Sequence, residues 1–229
     1  GLTTVKGATA MDFGPDGRLY VTDYSGTASS SGVVKALTIQ RNGPTAYVVV
    51  SVEEFTGVST IQNHNDDSTL APPAFSNRRE VTGLTVGGTP SSPVVYVTSS
   101  DIRIGGGDGT GQKDSKTGSG TWEVVDLVRG LPRSEENHAT NGLRLVTING
   151  TDHLIVSSGG STNGGSPSSN FALITEYALG GAVLSVNLDQ ISQLPVLDDN
   201  GRSYIYDLPT LDDPTRPNAN GVNDPDSPG

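Results

Sequence analysis

Apolar positions along the chain fall in short alternating runs, broken by clusters of Gly, Pro, Asp and Asn. In "MDFGPDGRLYVTD", Met11 to Asp23, one apolar strand ends at Phe13 and "GPDG" supplies turn chemistry. Leu19 and Val21 then alternate with Tyr20 and Thr22, the period of a half-buried strand. Asp16-Gly17 is a hairpin signal, because Gly accepts the positive φ that a tight turn requires. Further strands are predicted at "VVKALTIQ" (Val33 to Gln40) and "TAYVVVSVEEF" (Thr45 to Phe55). Four strands in this space match the size of one propeller blade.

The pattern then returns. "EVTGLTV" (Glu80 to Val86) leads to "PVVYVTSSD" (Pro93 to Asp101) and "GTWEVVDLVRGLP" (Gly120 to Pro132). A third unit begins at "ATNGLRLVTINGTDHLIVSSGG" (Ala139 to Gly160) and continues through "GGAVLSVNLDQI" (Gly180 to Ile191) and "SYIYDLP" (Ser203 to Pro209). The openings Met11-Asp12-Phe13, Thr82-Gly83-Leu84 and Asn141-Gly142-Leu143 look equivalent, each leading into "LYVTD", "VYVTSSD" or "LIVSSGG". The expectation is an all-β chain of about three four-stranded propeller blades, residues 1–60, 80–132 and 139–207. Residues 208–229, rich in Pro, Asp and Asn, read as an exposed loop or linker open to proteolysis. Two segments, Asp101 to Gly120 and Gly159 to Asn170, read as long polar loops. Propellers close with roughly 4–8 blades. Three units therefore imply a larger ring, its remaining blades elsewhere or on a separate chain.

Composition narrows the function classes. Hydrophobic residues make up 33% of the 229, charged residues 17%, and there are 30 Gly, which suits short strands with polar connections. A net charge of −11 without any Lys/Arg cluster excludes nucleic acid as a partner; it suits cation binding and neutral ligands such as sugars. Without cysteine there is neither a disulfide nor a thiolate metal site. No apolar run approaches the ~20 residues of a membrane span. The chain opens on Gly1 and reads as processed or trimmed; with its low Lys content, a secreted or periplasmic location is expected.

Specific chemistry enters through a resemblance. "RGLPRSEENHATNGLRL" followed by "SSGGSTNGGSPSSNFALITEYALGGAVLSVNLDQI", together with "SSDIRIGGG" and "YDLPTLDDPTRPN", resembles secreted bacterial members of the glucose/sorbosone dehydrogenase family. These are six-bladed propellers related to soluble sugar dehydrogenases that use pyrroloquinoline quinone (PQQ) and Ca²⁺. The resemblance covers roughly Glu80 to Asn218. It implies that His138, ahead of an inner strand, is the general base that takes the proton of the sugar's C1 hydroxyl. Imidazole suits that role because it titrates near neutral pH. Glu135 and Glu136, close in sequence, could orient its ring. PQQ carries three carboxylates and asks for a basic clamp. The candidates in this chain are Arg103, Arg144 and Asn141, with Lys113 and Arg133 in or near the same loops. The resemblance places much of the clamp, an Arg-Asn pair included, in further blades.

Calcium wants oxygen ligands. Asp101, Asp108 and Asp114 are the candidates, in a segment that reads equally as a solvated acidic loop; "NHNDD" around His64 and the tail aspartates are further possibilities. His153 reads as a turn or strand-start residue, and Trp122 and Tyr177 as either sugar-stacking or blade-packing aromatics. "GGGDGTG" lacks the Lys-Ser/Thr ending of a phosphate loop, and "GSPSSN" lacks a nucleophile elbow. Two functional readings follow. One is a PQQ-dependent aldose dehydrogenase completed by further blades. The other is a non-catalytic propeller module that binds a sugar, a polysaccharide or a protein.

Overall fold

A computed structural model describes residues 5–24, 32–61, 78–101, 109–116, 122–131, 138–160, 179–199 and 201–208. Strand dominates. The first sheet is the meander β1 (Met11–Phe13), β2 (Leu19–Asp23), β3 (Val33–Arg41) and β4 (Tyr47–Phe55). Its first hairpin forms where Asp16-Gly17 predicts it: Gly17 N–H donates to Gly14 O at 3.0 Å and Met11 pairs with Val21. Strand alternation sends Tyr20, Val34, Ala36 and Phe55 to one face, where all four are buried.

The second sheet begins with β5 (Arg79–Thr89), β6 (Ser92–Asp101), β7 (Gly109–Lys116) and β8 (Trp122–Leu131), paired antiparallel in that order. The segment expected as one loop from Asp101 to Gly120 thus contains a strand. Its Gly-rich polar sequence carries no apolar alternation; β7 is held by main-chain pairing to β6 on one side and β8 on the other. The third sheet is β9 (Thr140–Ile148), β10 (Thr151–Ser158) and β11 (Ala182–Asn187). β9 and β10 meet in the two-residue turn Asn149-Gly150, both at positive φ (51° and 85°), the hairpin geometry Asn-Gly favours.

After β11 the chain leaves this sheet. Leu188–Ile191 form one helical turn, α1, capped by Asn187, whose side chain accepts from Gln190 N–H at 2.9 Å. β12 (Leu197–Asp199) and β13 (Arg202–Asp207) then form a hairpin on the second sheet, β13 lying parallel to β8. The "SYIYD" strand expected in the third unit therefore extends the second sheet to six strands and leaves the third with three. The cause is electrostatic and aromatic. Arg202 reaches the fully buried Asp126 of β8 through Nη2 at 2.5 Å and Nε at 3.1 Å, and its Nη1 donates to Gly57 O at 3.0 Å. Arg129 lies 4.0 Å over the Tyr204 ring and pairs with Asp207 at 2.7 Å.

Among the described residues no sheet closes on itself. The three stand side by side. Tyr20, Phe55 and Val34 of the first pack against Val81, Leu84 and Val97 of the second. Tyr96, Leu127 and Leu131 of the second pack against Leu154 and Val156 of the third. Trp122 crosses the first seam: its ring meets Phe55 edge-on with centroids 4.1 Å apart, and its Nε1–H donates to Glu53 at 3.1 Å. Among the described residues no helix is long and apolar enough to cross a membrane.

Two carboxylates, the half-buried Asp16 and the buried Asp23, tie the first sheet together. Burial opposes ionisation of Asp16, but hydrogen bonds from Arg18 (2.6 Å) and Tyr20 (2.8 Å) outweigh it and hold its carboxyl below the ordinary range. Asp23 is lowered in the same way, against burial, by Lys35 at 2.5 Å and by the Lys6 and Gly7 amides at 2.8 and 3.1 Å.

Two outcomes follow. Arg202→Met leaves Asp126 buried without its bidentate partner and is expected to cost about 3–5 kcal/mol in urea unfolding. Groups with depressed folded pKa values stabilise fully above their unfolded values and lose that contribution as pH falls through the folded ones. The melting temperature should thus hold down to roughly pH 5 and drop below about pH 4. Asp23→Asn should flatten that drop.

Candidate functional site

The inner edges of the three sheets converge: β1 lies against β5, and β5 against β9. Strand register fixes which residues correspond. Met11 faces Val21, Leu84 faces Val97 and Leu143 faces Val156, aligning "YVTD", "YVTSSD" and "IVSSGG". Thr9, Thr82 and Asn141 are then equivalent. The first unit's opening is thus Thr9-Ala10-Met11, two residues ahead of the Met11-Asp12-Phe13 suggested by sequence; "ATA" carries no strand signal of its own.

The equivalence is physical. Thr9 Oγ1 donates to Val81 O at 2.6 Å, and Thr82 Oγ1 donates to Thr140 O, the residue corresponding to Val81 one unit later. At Gly83 the third sheet comes so near that a Cβ would stand 2.3 Å from Asn141 O, which leaves room only for glycine. Three residues before each bridging position stand Lys6, Arg79 and His138, so every unit carries a basic side chain at one end of its inner strand. Arg79 is fully buried and donates to Ser99 O at 3.1 Å. Sequence reading passed over Arg79; its place three residues before Thr82, in the frame His138 holds before Asn141, was the available signal.

His138 is half-buried just ahead of β9. Its Nδ1 lies 2.6 Å from Gly160 O. A carbonyl only accepts, so Nδ1 carries the hydrogen and Nε2 is the basic nitrogen of the neutral ring. The sheet thus fixes both the orientation and the tautomer a general base needs.

Among the described residues, the other expected site residues are placed as follows. Asn141 turns its Nδ2 to Ala139 O at 3.1 Å. Arg144 is six residues further along extended backbone, roughly 20 Å from His138. Its side chain is 71% exposed and lies 4.0 Å from Asp12 Oδ2. Asp12 in turn accepts from Thr85 Oγ1 at 3.0 Å, and Thr85 accepts from Leu145 N–H at 3.4 Å, so Asp12, Thr85 and Arg144 link the three inner strands away from His138. Asp101 ends β6 opposite Arg79, and Asp114 sits within β7 between Val95 and Val124, in a strand rather than the expected loop. Arg103, Asp108, Arg133, Glu135, Glu136, His64 and Tyr177 lie outside the described residues. Trp122 is taken up in the first seam, and His153 is the third residue of β10, where its Nδ1 meets Ser185 Oγ at 2.9 Å.

Fit to the implied groups follows from this. The described residues near His138 offer no converging pair of cations for three carboxylates, because Arg79 is buried against Ser99 and Arg144 is directed to Asp12. Nor do the described residues include a cluster of three or more His, Asp or Glu side chains able to hold a metal ion. These residues by themselves do not fit PQQ or Ca²⁺. No protein-family model and no curated protein matches the chain.

Long-range ¹H–¹⁵N correlation spectra of the neutral protein are expected to show the His138 ring protonated at Nδ1. A ring protonated at Nε2 would contradict the Gly160 bond.

Proposed function

We propose that the three sheets are successive blades of a propeller, and that the end carrying His138 is where a sugar is engaged by a dehydrogenase-like protein. The blade reading is supported by the repeated seam: the same hydroxyl-to-carbonyl bond, Thr9 to Val81 and Thr82 to Thr140, at equivalent positions. The sugar reading is carried by one observation, the His138–Gly160 bond, which fixes the orientation and tautomer of the ring. In this reading Nε2 takes the proton of the sugar's C1 hydroxyl while Gly160 O holds the imidazolium that forms. PQQ would serve as electron acceptor, its carboxylates and Ca²⁺ held by residues other than those described, including further blades of the same or a separate chain. The acidic surface suits a neutral substrate, and the setting proposed is secreted or periplasmic.

A second reading is favoured by a specific observation. Arg144, one of the expected clamp residues, lies 4.0 Å from Asp12 Oδ2, and no basic pair stands beside His138 among the described residues. This suits a blade array that binds a sugar, polysaccharide or protein without oxidising it.

A dye-linked aldose assay with added PQQ and Ca²⁺ separates the two. Turnover that falls roughly 10²–10⁴-fold in His138→Ala supports the oxidising role. Binding of the same sugars by calorimetry, without turnover and unchanged in His138→Ala, supports the second reading. Native mass spectrometry tests the ring: the expected species carries further blades on a second polypeptide, and a lone 23.6 kDa chain overturns that partner.

A further inference from the structure

We propose that the open face of the first sheet docks a second copy of this chain, whose third sheet packs there and completes a ring. The face crosses all four strands: Phe13, Leu19, Leu37 and Val52 pair in one register row, with Met11 beside them. Met11 is 70% exposed, Phe13 65% and Val52 47%. By register, Leu84 and Leu143 are the equivalents of Met11, and Val86 and Leu145 those of Phe13. In the second and third units these residues pack in the seam with the preceding sheet. In the first unit no sheet of the described residues lies against the same positions. An apolar face of this kind marks an interaction surface.

The third sheet carries the other half of such a seam. Ile155 stands where Tyr20 stands in the first sheet, and Val183 stands where Val34 does. Tyr20 and Val34 are fully buried in the first seam, whereas Val183 is 75% exposed. The polar contacts correspond as well. Thr9 and Thr82 donate to the carbonyl just before the equivalent position of the next unit, Val81 O and Thr140 O. The acceptor left over is Ala8 O, to which no described residue donates. The donor left over is Asn141, whose amide group carries two hydrogens and directs one to Ala139 O.

A further contact selects this chain's own third sheet as the occupant. Asp12 accepts from Val86 N–H and Thr85 from Leu145 N–H, so each unit supplies an acceptor to the next. The third unit has Arg144 at that position, and a guanidinium cannot accept. The amide it would meet, Phe13 N–H, is already held by Asp12 Oδ1 at 3.0 Å. Arg144, 71% exposed, would therefore meet a carboxylate there, and the charges match. A head-to-tail contact of this kind makes a ring when its rotation closes. Three sheets from each of two copies fall within the roughly 4–8 that close a propeller. The proposal rests on the blade reading and not on the sugar reading.

Native mass spectrometry and sedimentation are expected to show a dimer, twice 23.6 kDa. Phe13→Glu and Val183→Glu, both at exposed positions, should each raise its dissociation constant roughly 30-fold or more. Mixing the two variants should restore a dimer, because one of its two seams is then native; a face that pairs with itself gives no such rescue. Met11 is the sole methionine, so peroxide oxidation of its thioether should slow as the dimer forms. A lone chain, a complex with a different polypeptide only, or a dimer indifferent to Phe13→Glu overturns the proposal. Thr82→Val separates this from the blade reading. It removes a seam bond inside one chain and should raise the unfolding equilibrium constant in urea roughly 3- to 10-fold. If it does so in a chain that stays monomeric, the second copy falls and the blades stand. If it has no effect, both fall.

Discussion

Thr9 and Thr82 each send a hydroxyl across to a main-chain carbonyl of the next sheet, and the arrangement of the molecule depends on that contact. A twisted antiparallel sheet with apolar side chains on both faces has to cover both. Here the second sheet is covered on one face by the first sheet and on the other by the third, and the inner strands come closest where the threonines bridge. The bridge uses the carbonyl of the partner's inner strand, so it fixes height along the strand as well as contact. A slip of one residue would turn Tyr20, Leu84 or Val97 away from the seam. The glycine at position 83 belongs to the same constraint, because Asn141 O occupies the space of its missing Cβ.

Apolar packing supplies most of the cohesion at each seam, and polar contacts give it direction. Tyr20, Phe55 and Trp122 form an aromatic run through the first seam, and Glu53 joins that run to the Arg18–Asp16 cluster by accepting from Trp122 and Arg18. At the outer edge, the Asp126–Arg202 pair fastens β13 to β8 and, through Gly57 O, to the end of the first sheet. The ion pair is buried and bidentate, so its value is in specifying where the last hairpin docks. Without it, the "SYIYD" strand has a hydrophobic pattern that would suit the third sheet equally.

The candidate site draws on the same repeat. Lys6, Arg79 and His138 occupy one position in three successive units, yet their environments differ. Lys6 is exposed, Arg79 is fully buried against Ser99, and His138 is half-buried with its ring held by Gly160. Of the three, His138 alone has a carbonyl that sets its ring tautomer. Arg144, Asp12 and Thr85 also form a linked set on the inner strands, but the length of β9 separates them from His138, so the two groups serve different places.

The amino-acid sequence by itself determined the strands that alternate, the hairpin at Asp16-Gly17, the repeat of similar openings and the position of His138 ahead of a strand. Those features are local: they depend on side-chain period and on which residues accept a positive φ. Three things were decided only by tertiary structure. β7 exists because β6 and β8 each leave a row of main-chain donors and acceptors to be paired, which a Gly-rich sequence does not announce. β13 leaves the third sheet because a buried aspartate 76 residues away holds its arginine. The tautomer of His138 is set by a carbonyl 22 residues along the chain, brought opposite by the pairing of β9 with β10. Each rests on a contact between residues distant in sequence, which no local pattern encodes.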